Sequence, residues 1–170
     1  MCVIVVKPKG VRMPSDEIIR ACARANRDGF GFCTPDSYFK STSFIAFQDK
    51  LAAVRTDEPC IMHFRLATHG SVCQANCHPF KKKDVYFAHN GILDITPLRG
   101  KTDSETAFLK LIYPKIEKYG MFSEEVMTAI RGIIGSSKFA IMQGEDLGLY
   151  GHFEHAEGCY FSNLRFLYYM

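Results

Sequence analysis

No stretch of the chain approaches the 18 or more apolar residues that a membrane-spanning helix needs. A secretory signal is also missing, because Lys7, Pro8, Lys9 and Gly10 interrupt the first apolar run almost at once. On these features a cytoplasmic location without membrane association is expected. There is no linker, repeat or low-complexity segment, so residues 1–170 are expected to form one domain. Charge of one sign is scarce, with a formal net charge of only +3. Lys81, Lys82 and Lys83 form the one dense basic cluster, placed in a turn after Pro79. Nucleic-acid binding needs a wider basic face with stacking residues, and is not expected. What the chain does have is 47% hydrophobic and 23% charged residues, the balance of a globular protein with a true core. Seven cysteines cannot pair completely within one chain, and without a secretion signal free thiols are expected. Most of Cys22, Cys33, Cys60, Cys73, Cys77 and Cys159 read as small buried hydrophobes.

The run Cys2 to Val6 reads as a strand covered on both faces. Pro14 and Ser15 open a helix with Asp16 and Glu17 at its positive end, and Arg27-Asp28-Gly29 closes it. Phe30–Phe32 reads as a strand, and Thr42 to Val54 as a strand pair turning near Gln48-Asp49-Lys50. Ile61–Arg65 and Val85–His89 are two more strands, each delivering polar side chains to the rim of a sheet shortly before a glycine. A helix runs from Asp103 to about Gly120, with Pro114 able to kink it, and Ser123 caps the next. Strands return at Phe139–Met142, Leu147–Tyr150 and Leu164–Tyr168. Strands, then helices, then strands, with hairpin-like connections, favour layered sheets with outer helices over a doubly wound fold.

Chemistry gathers at a few positions. Removal of Met1 would leave Cys2 carrying a thiol and an α-amine on one residue. With reference pKa values of about 8.5 and about 7.7–8.0, that amine can take the thiol proton and later return it to a leaving amine. In His63-Phe64-Arg65-Leu66-Ala67-Thr68-His69-Gly70, Arg65 offers a rigid donor fork for a carboxylate, and Thr68 and His69 add hydrogen-bonding groups. Asn90 and Gly91 offer a side-chain amide and a backbone N–H suited to an oxyanion, although Asn-Gly is also a common hairpin turn. Asp103, at the head of a helix, suits either a cap or an anion that pairs with a ligand ammonium. Together these residues describe a cleft for an amino acid whose side-chain amide faces a thiol: glutamine.

The chain resembles the class II glutamine amidotransferases, the cysteine branch of the N-terminal-nucleophile hydrolases. The resemblance rests on Met1-Cys2, Asn26-Arg27-Asp28-Gly29-Phe30-Gly31, His63 through Gly70, Asn76-Cys77-His78-Pro79-Phe80, Ala88-His89-Asn90-Gly91 and Thr102-Asp103-Ser104-Glu105, in the family's order. Phe161-Ser162-Asn163 is similar, more loosely, to a late family strand and turn. The resemblance implies an α+β, four-layer α/β/β/α fold with two antiparallel sheets between helices. By it Cys2 is the nucleophile, Asn90 and Gly91 the oxyanion hole, Arg65 the carboxylate ligand and Asp103 the ammonium ligand. Thr68 and His69 shape the pocket, and Asp28, Gly29 and His78 are structural support. The implied activity is release of ammonia from glutamine without metal or organic cofactor. The family usually places glycine after its nucleophile; here Val3 is expected to narrow the approach to the thiol. Family members generally carry a further domain that consumes the ammonia. With the sequence ending at Met170, either a separate synthetase or transferase subunit accepts the ammonia, the protein simply hydrolyses glutamine or another amide, or the fold is kept for another purpose.

Three other readings stay open on the residues. Another γ-glutamyl or small amide would satisfy the same amino-acid clamp. A catalytically silent interaction protein could keep the fold. Cys60-x2-His63 and Cys73-x3-Cys77-His78 hold soft ligands, at spacings imperfect for common zinc sites.

Overall fold

The structure, a computed structural model, describes residues 2–67 and 70–170. Thr68 and His69 lie outside the described residues, as does Met1. Two antiparallel sheets lie face to face between helices, the α+β, four-layer α/β/β/α arrangement expected. The six-stranded sheet has the order β3 (Tyr38–Ser41), β2 (Gly29–Cys33), β4 (Cys60–Arg65), β1 (Val3–Lys7), β10 (Cys159–Phe161), β9 (Glu154–Ala156). The four-stranded sheet has the order β5 (Phe80–Lys82), β6 (Val85–Asn90), β7 (Lys138–Gln143), β8 (Asp146–Tyr150).

The period-two alternation of β1 explains why its first four residues are all apolar. Val3 and Val5 face the helices, while Ile4 and Val6 face the second sheet, and all four are fully buried. Burying one such side chain contributes about 1.5–3 kcal/mol. Ile4, Val6, Cys33 and Ile61 meet Tyr86, Ala88, Ala140 and Met142 between the sheets. The outer face of the six-stranded sheet packs against α1 (Asp16–Ala25), α2 (Phe44–Leu51) and a 3-10 turn at Arg165–Tyr169. The outer face of the other sheet packs against α3 (Asp103–Ala107), a π-helical segment (Phe108–Ile112), α4 (Tyr113–Tyr119) and α5 (Glu124–Arg131).

Capping signals place the helices where expected. Ser15, Thr102 and Ser123 each accept a first-turn N–H, from Ile18, Glu105 and Val126. Pro114 does not end its helix. The preceding π-helical segment carries the chain across the site of the missing N–H, so α3 and α4 read as one interrupted helix.

Two expectations are corrected. Residues 42–54 are not a strand pair: Ser43 caps α2, and Phe44, Phe47 and Leu51 share the face turned to the sheet. Phe44 and Phe47 stack around Phe30, with centroids 5.3 and 5.7 Å away. Nor is Leu164–Tyr168 a strand, since Arg165–Tyr169 coils as a 3-10 turn that sinks Phe166 beside Phe161. The strand at this end is the earlier β10.

Five cysteines, Cys22, Cys33, Cys60, Cys77 and Cys159, are buried free thiols, while Cys73 is only half-buried. Lys81 and Lys82 stand on β5, and Lys83 takes the turn with φ of 51°. Among the described residues, no helix is long and apolar enough to cross a membrane.

Candidate active site

Antiparallel pairing delivers the site to one end of the sheets. Val3 pairs with Phe64, so Cys2 falls beside Arg65 and Leu66 at the end of β4. The Cys2 carbonyl accepts from Asn163 Nδ2 at 2.9 Å, and its thiol approaches the Leu66 carbonyl at 3.5 Å. Burial pushes the Cys2 thiol pKa up; the nearby Arg65 charge opposes this without overcoming it. Val3 turns its side chain into the helix-side core and lines neither hollow beside the thiol, so the expected narrowing by a β-branched neighbour is corrected.

Arg65 is buried, and its Nη1 donates to the Ser71 carbonyl at 3.0 Å. Asn76 Nδ2 donates to the same carbonyl at 3.0 Å, tying the segment after β4 into a wall of the cleft. Asp28 braces this corner twice. Its backbone N–H donates to the Arg65 carbonyl at 2.9 Å, and its Oδ2 accepts from the Ala67 N–H at 2.8 Å. Gly29 pairs with Arg65, and a Cβ there would lie 2.4 Å from Cys77 Sγ, so only glycine fits between the two. Thr68 and His69 belong to the stretch outside the described residues.

Asn90 ends β6. Its Nδ2 donates to Ser162 Oγ at 2.8 Å, while its buried Oδ1 has no partner among the described residues. Gly91 follows with φ of +142°, against Ser137; a Cβ would sit 2.1 Å from Ser137 Oγ. Asp103 is fixed by backbone donors. Leu93 N–H reaches Oδ2 at 3.1 Å, and Ser104 N–H reaches Oδ1 at 2.8 Å. These two donors fix the position of the Asp103 carboxyl group at the rim, while Thr102 caps the helix.

Behind these groups lie three buried histidines. The His63 and His78 rings are 4.3 Å apart, and those of His78 and His89 are 6.4 Å apart. His63 Nε2 contacts the His89 carbonyl at 3.1 Å, and His89 Nδ1 contacts Ser104 Oγ at 2.7 Å. Burial lowers all three pKa values: His63 to about 3, His89 to about 4 against the pull of Asp103, and His78 well below the usual range. These rings are neutral at physiological pH. His78 thus stands in the cleft wall as a packed, uncharged group and not as a free acid.

Cys2, Arg65, His78, Gly91 and Asp103 line one small cleft of about 50 Å³. A second hollow adjoins it across the thiol and is lined by Asn90, Gly91 and Cys2. Asp28 and Gly29 support the corner from outside the cleft lining. Among the described residues, no group of three or more His, Cys, Asp and Glu side chains converges on a metal position, and the cysteine–histidine spacings noted above build no such cluster. The sequence did not single out Asn76, Ser162 or Asn163 as site residues. All three sat inside motifs that were noted, but their roles depend on contacts with distant segments.

Two antiparallel sheets between helical layers, with the site at one end, make up the four-layer architecture of the N-terminal-nucleophile hydrolases. Residues 20–136 match the family model of the class-II glutamine amidotransferases, and the chain belongs to that family. No curated protein matches it. Among solved structures it is similar to glutamine phosphoribosylpyrophosphate (PRPP) amidotransferase from B. subtilis complexed with ADP and GMP. The TM-score is 0.65 at 17% identity, over 95% of this chain and 41% of that one. It is equally similar to a structure of the allosteric regulatory enzyme of purine biosynthesis, with TM-score 0.65, 17% identity and the same 95% and 41% coverage. At that identity the likeness concerns the fold, and the chain spans 41% of the length of these structures.

Proposed function

We propose that residues 1–170 act as one amidohydrolase domain that releases ammonia and glutamate from glutamine through a Cys2 thioester. The observation that carries this reading is that Cys2, Arg65, Gly91 and Asp103, far apart in sequence, line a single cleft. Arg65 holds the substrate carboxylate and Asp103 its ammonium, with Thr68 and His69 assigned by the family resemblance to the same pocket. Asp28, Gly29 and His78 support this arrangement.

Because burial raises the Cys2 thiol pKa, no standing thiolate is available at neutral pH, and attack needs a base at the moment of reaction. The α-amine exposed by removal of Met1 supplies it. The tetrahedral oxyanion is held by the Gly91 N–H and the second N–H of Asn90, the first being given to Ser162. Collapse expels ammonia with a proton from the Cys2 ammonium, and water then cleaves the thioester. No metal or organic cofactor enters any step. The ammonia passes to a separate synthetase or transferase subunit.

The test compares wild type and Cys2→Ala, each with loss of Met1 confirmed by intact mass, for ammonia release from glutamine. Activity confined to wild type supports the mechanism; equal release by both overturns it. Covalent labelling of Cys2 by a glutamine-mimicking electrophile is the companion measurement. A processed protein that neither labels nor turns over is a silent member of the family.

A further inference from the structure

Cys2 separates two hollows. One contains Arg65 and Asp103; the other has a volume of about 320 Å³ and is walled by Leu66, Ile92 and Ser136 with Lys138 beside them. On the function proposed above, an amide gripped by its amino-acid end at Arg65 and Asp103 extends past the thiol. Whatever is attached to the scissile nitrogen then enters the second hollow. For glutamine that group is ammonia, about the size of one water at roughly 30 Å³. The hollow is far larger.

Its chemistry is also specific. Lys138 is the one charged residue among those lining it. Lys138 pairs in register with Asn90, so the two side chains rise from the same face of the sheet. It is partly exposed, and it makes no ion pair among the described residues. A cation one strand away from the oxyanion donor, above apolar walls, suits a leaving amine that carries a carboxylate.

We propose that the site cleaves γ-glutamyl amides of amino acids, with Lys138 binding the carboxylate of the leaving amino acid in the second hollow. The bond formed is from Cys2 sulfur to the γ-carbonyl carbon, and the bond broken joins that carbon to the amino acid's nitrogen. The thiol proton moves to the Cys2 α-amine and from there to the departing nitrogen. Water then adds to the thioester, giving glutamate and the restored thiol. One amide and one water become glutamate and a free amino acid, with no change of oxidation state.

The test uses full-length protein lacking Met1 and measures glutamate release from glutamine, γ-glutamylglycine and uncharged γ-glutamylmethylamide. Expected is a kcat/KM for γ-glutamylglycine about tenfold or more above that for the methylamide, the scale of one charge-assisted contact. Lys138→Gln should reduce this ratio to about one, and Lys138→Glu should invert it. Cleavage of glutamine without cleavage of γ-glutamylglycine overturns the proposal and leaves an ammonia exit, with the amidohydrolase reading intact. A ratio unmoved by both Lys138 variants also overturns it. Glutamate release from none of the three substrates removes both readings together.

Discussion

Asn90 and Ser162 are joined by a hydrogen bond of 2.8 Å, and the same Ser162 hydroxyl oxygen accepts the Ile4 N–H at 2.9 Å. One oxygen therefore fixes the candidate oxyanion donor relative to the strand that carries Cys2. Ser162→Ala leaves two buried donors without an acceptor, each worth about 1–3 kcal/mol. Expected are lower stability in urea and a kcat reduced about tenfold, with KM changed much less, because the misaligned amide serves the transition state.

Gly91→Ala should be more damaging. An added methyl meets Ser137 Oγ at 2.1 Å, in a backbone conformation at φ +142° that L side chains rarely adopt. Strain of about 1–3 kcal/mol is expected in denaturant unfolding. The displaced N–H should cost kcat about tenfold to a hundredfold.

Gly29 and Cys77 allow a repair experiment. Gly29→Ala puts a Cβ 2.4 Å from Cys77 Sγ but 3.6 Å from Cys77 Cβ. The single variant should lose about 1–3 kcal/mol of stability. Adding Cys77→Ala removes the clashing sulfur and should recover most of the loss, measured as coupling in a double-mutant cycle.

Asp103→Asn keeps the size of the side chain but removes its charge and turns one of the two oxygens that accept from Leu93 and Ser104 into a donor. Expected is an increase of about tenfold or more in KM for the amide substrate, with a smaller effect on a deaminated analogue that lacks the α-ammonium. An equal effect on both substrates would show that Asp103 does not meet an ammonium.

Acid should weaken the fold through the three buried histidines. Their folded pKa values lie below the ordinary value near 6.5, at about 3 for His63 and about 4 for His89, with His78 lowered as well, chiefly through burial. Below pH of about 6.5 the unfolded chain therefore binds protons that the folded chain refuses, and stability falls as pH drops. Each such histidine contributes up to about 1.4 kcal/mol per pH unit until the folded value is reached. Urea midpoints at pH 7.5, 6 and 5 should decline in that order, and His63→Gln should flatten the decline.

Much of this molecule could be read from its residues. The continuous apolar run from Cys2 to Val6 announced a strand buried on both faces, and Ser15, Asp103 and Ser123 announced helix starts. Arg65, Gly91 and Asp103 stood in short motifs whose chemistry implied a shared cleft, and they share one. The misreading of residues 42–54 came from giving its β-branched and aromatic residues more weight than the Ser43 cap and the spacing of Phe44, Phe47 and Leu51. Strands β3, β5 and β9 are three or four residues long with exposed positions, so they carry no periodic signal. The contacts that Ser162, Asn163 and Lys138 make at the site were not legible because they follow from which strands become neighbours. Local sequence does not encode that.

The bond from Asn163 to the Cys2 carbonyl spans 161 positions, and that from Ser162 to Ile4 spans 158. Strand β1 can pair with β4 once residues 60–64 are made, but these two bonds need residues 158 and 161 positions away. Contacts of such long range form late and slowly. Until Asn163 docks, Cys2 is located by the β1–β4 pairing alone, and its carbonyl is fixed only when that residue arrives.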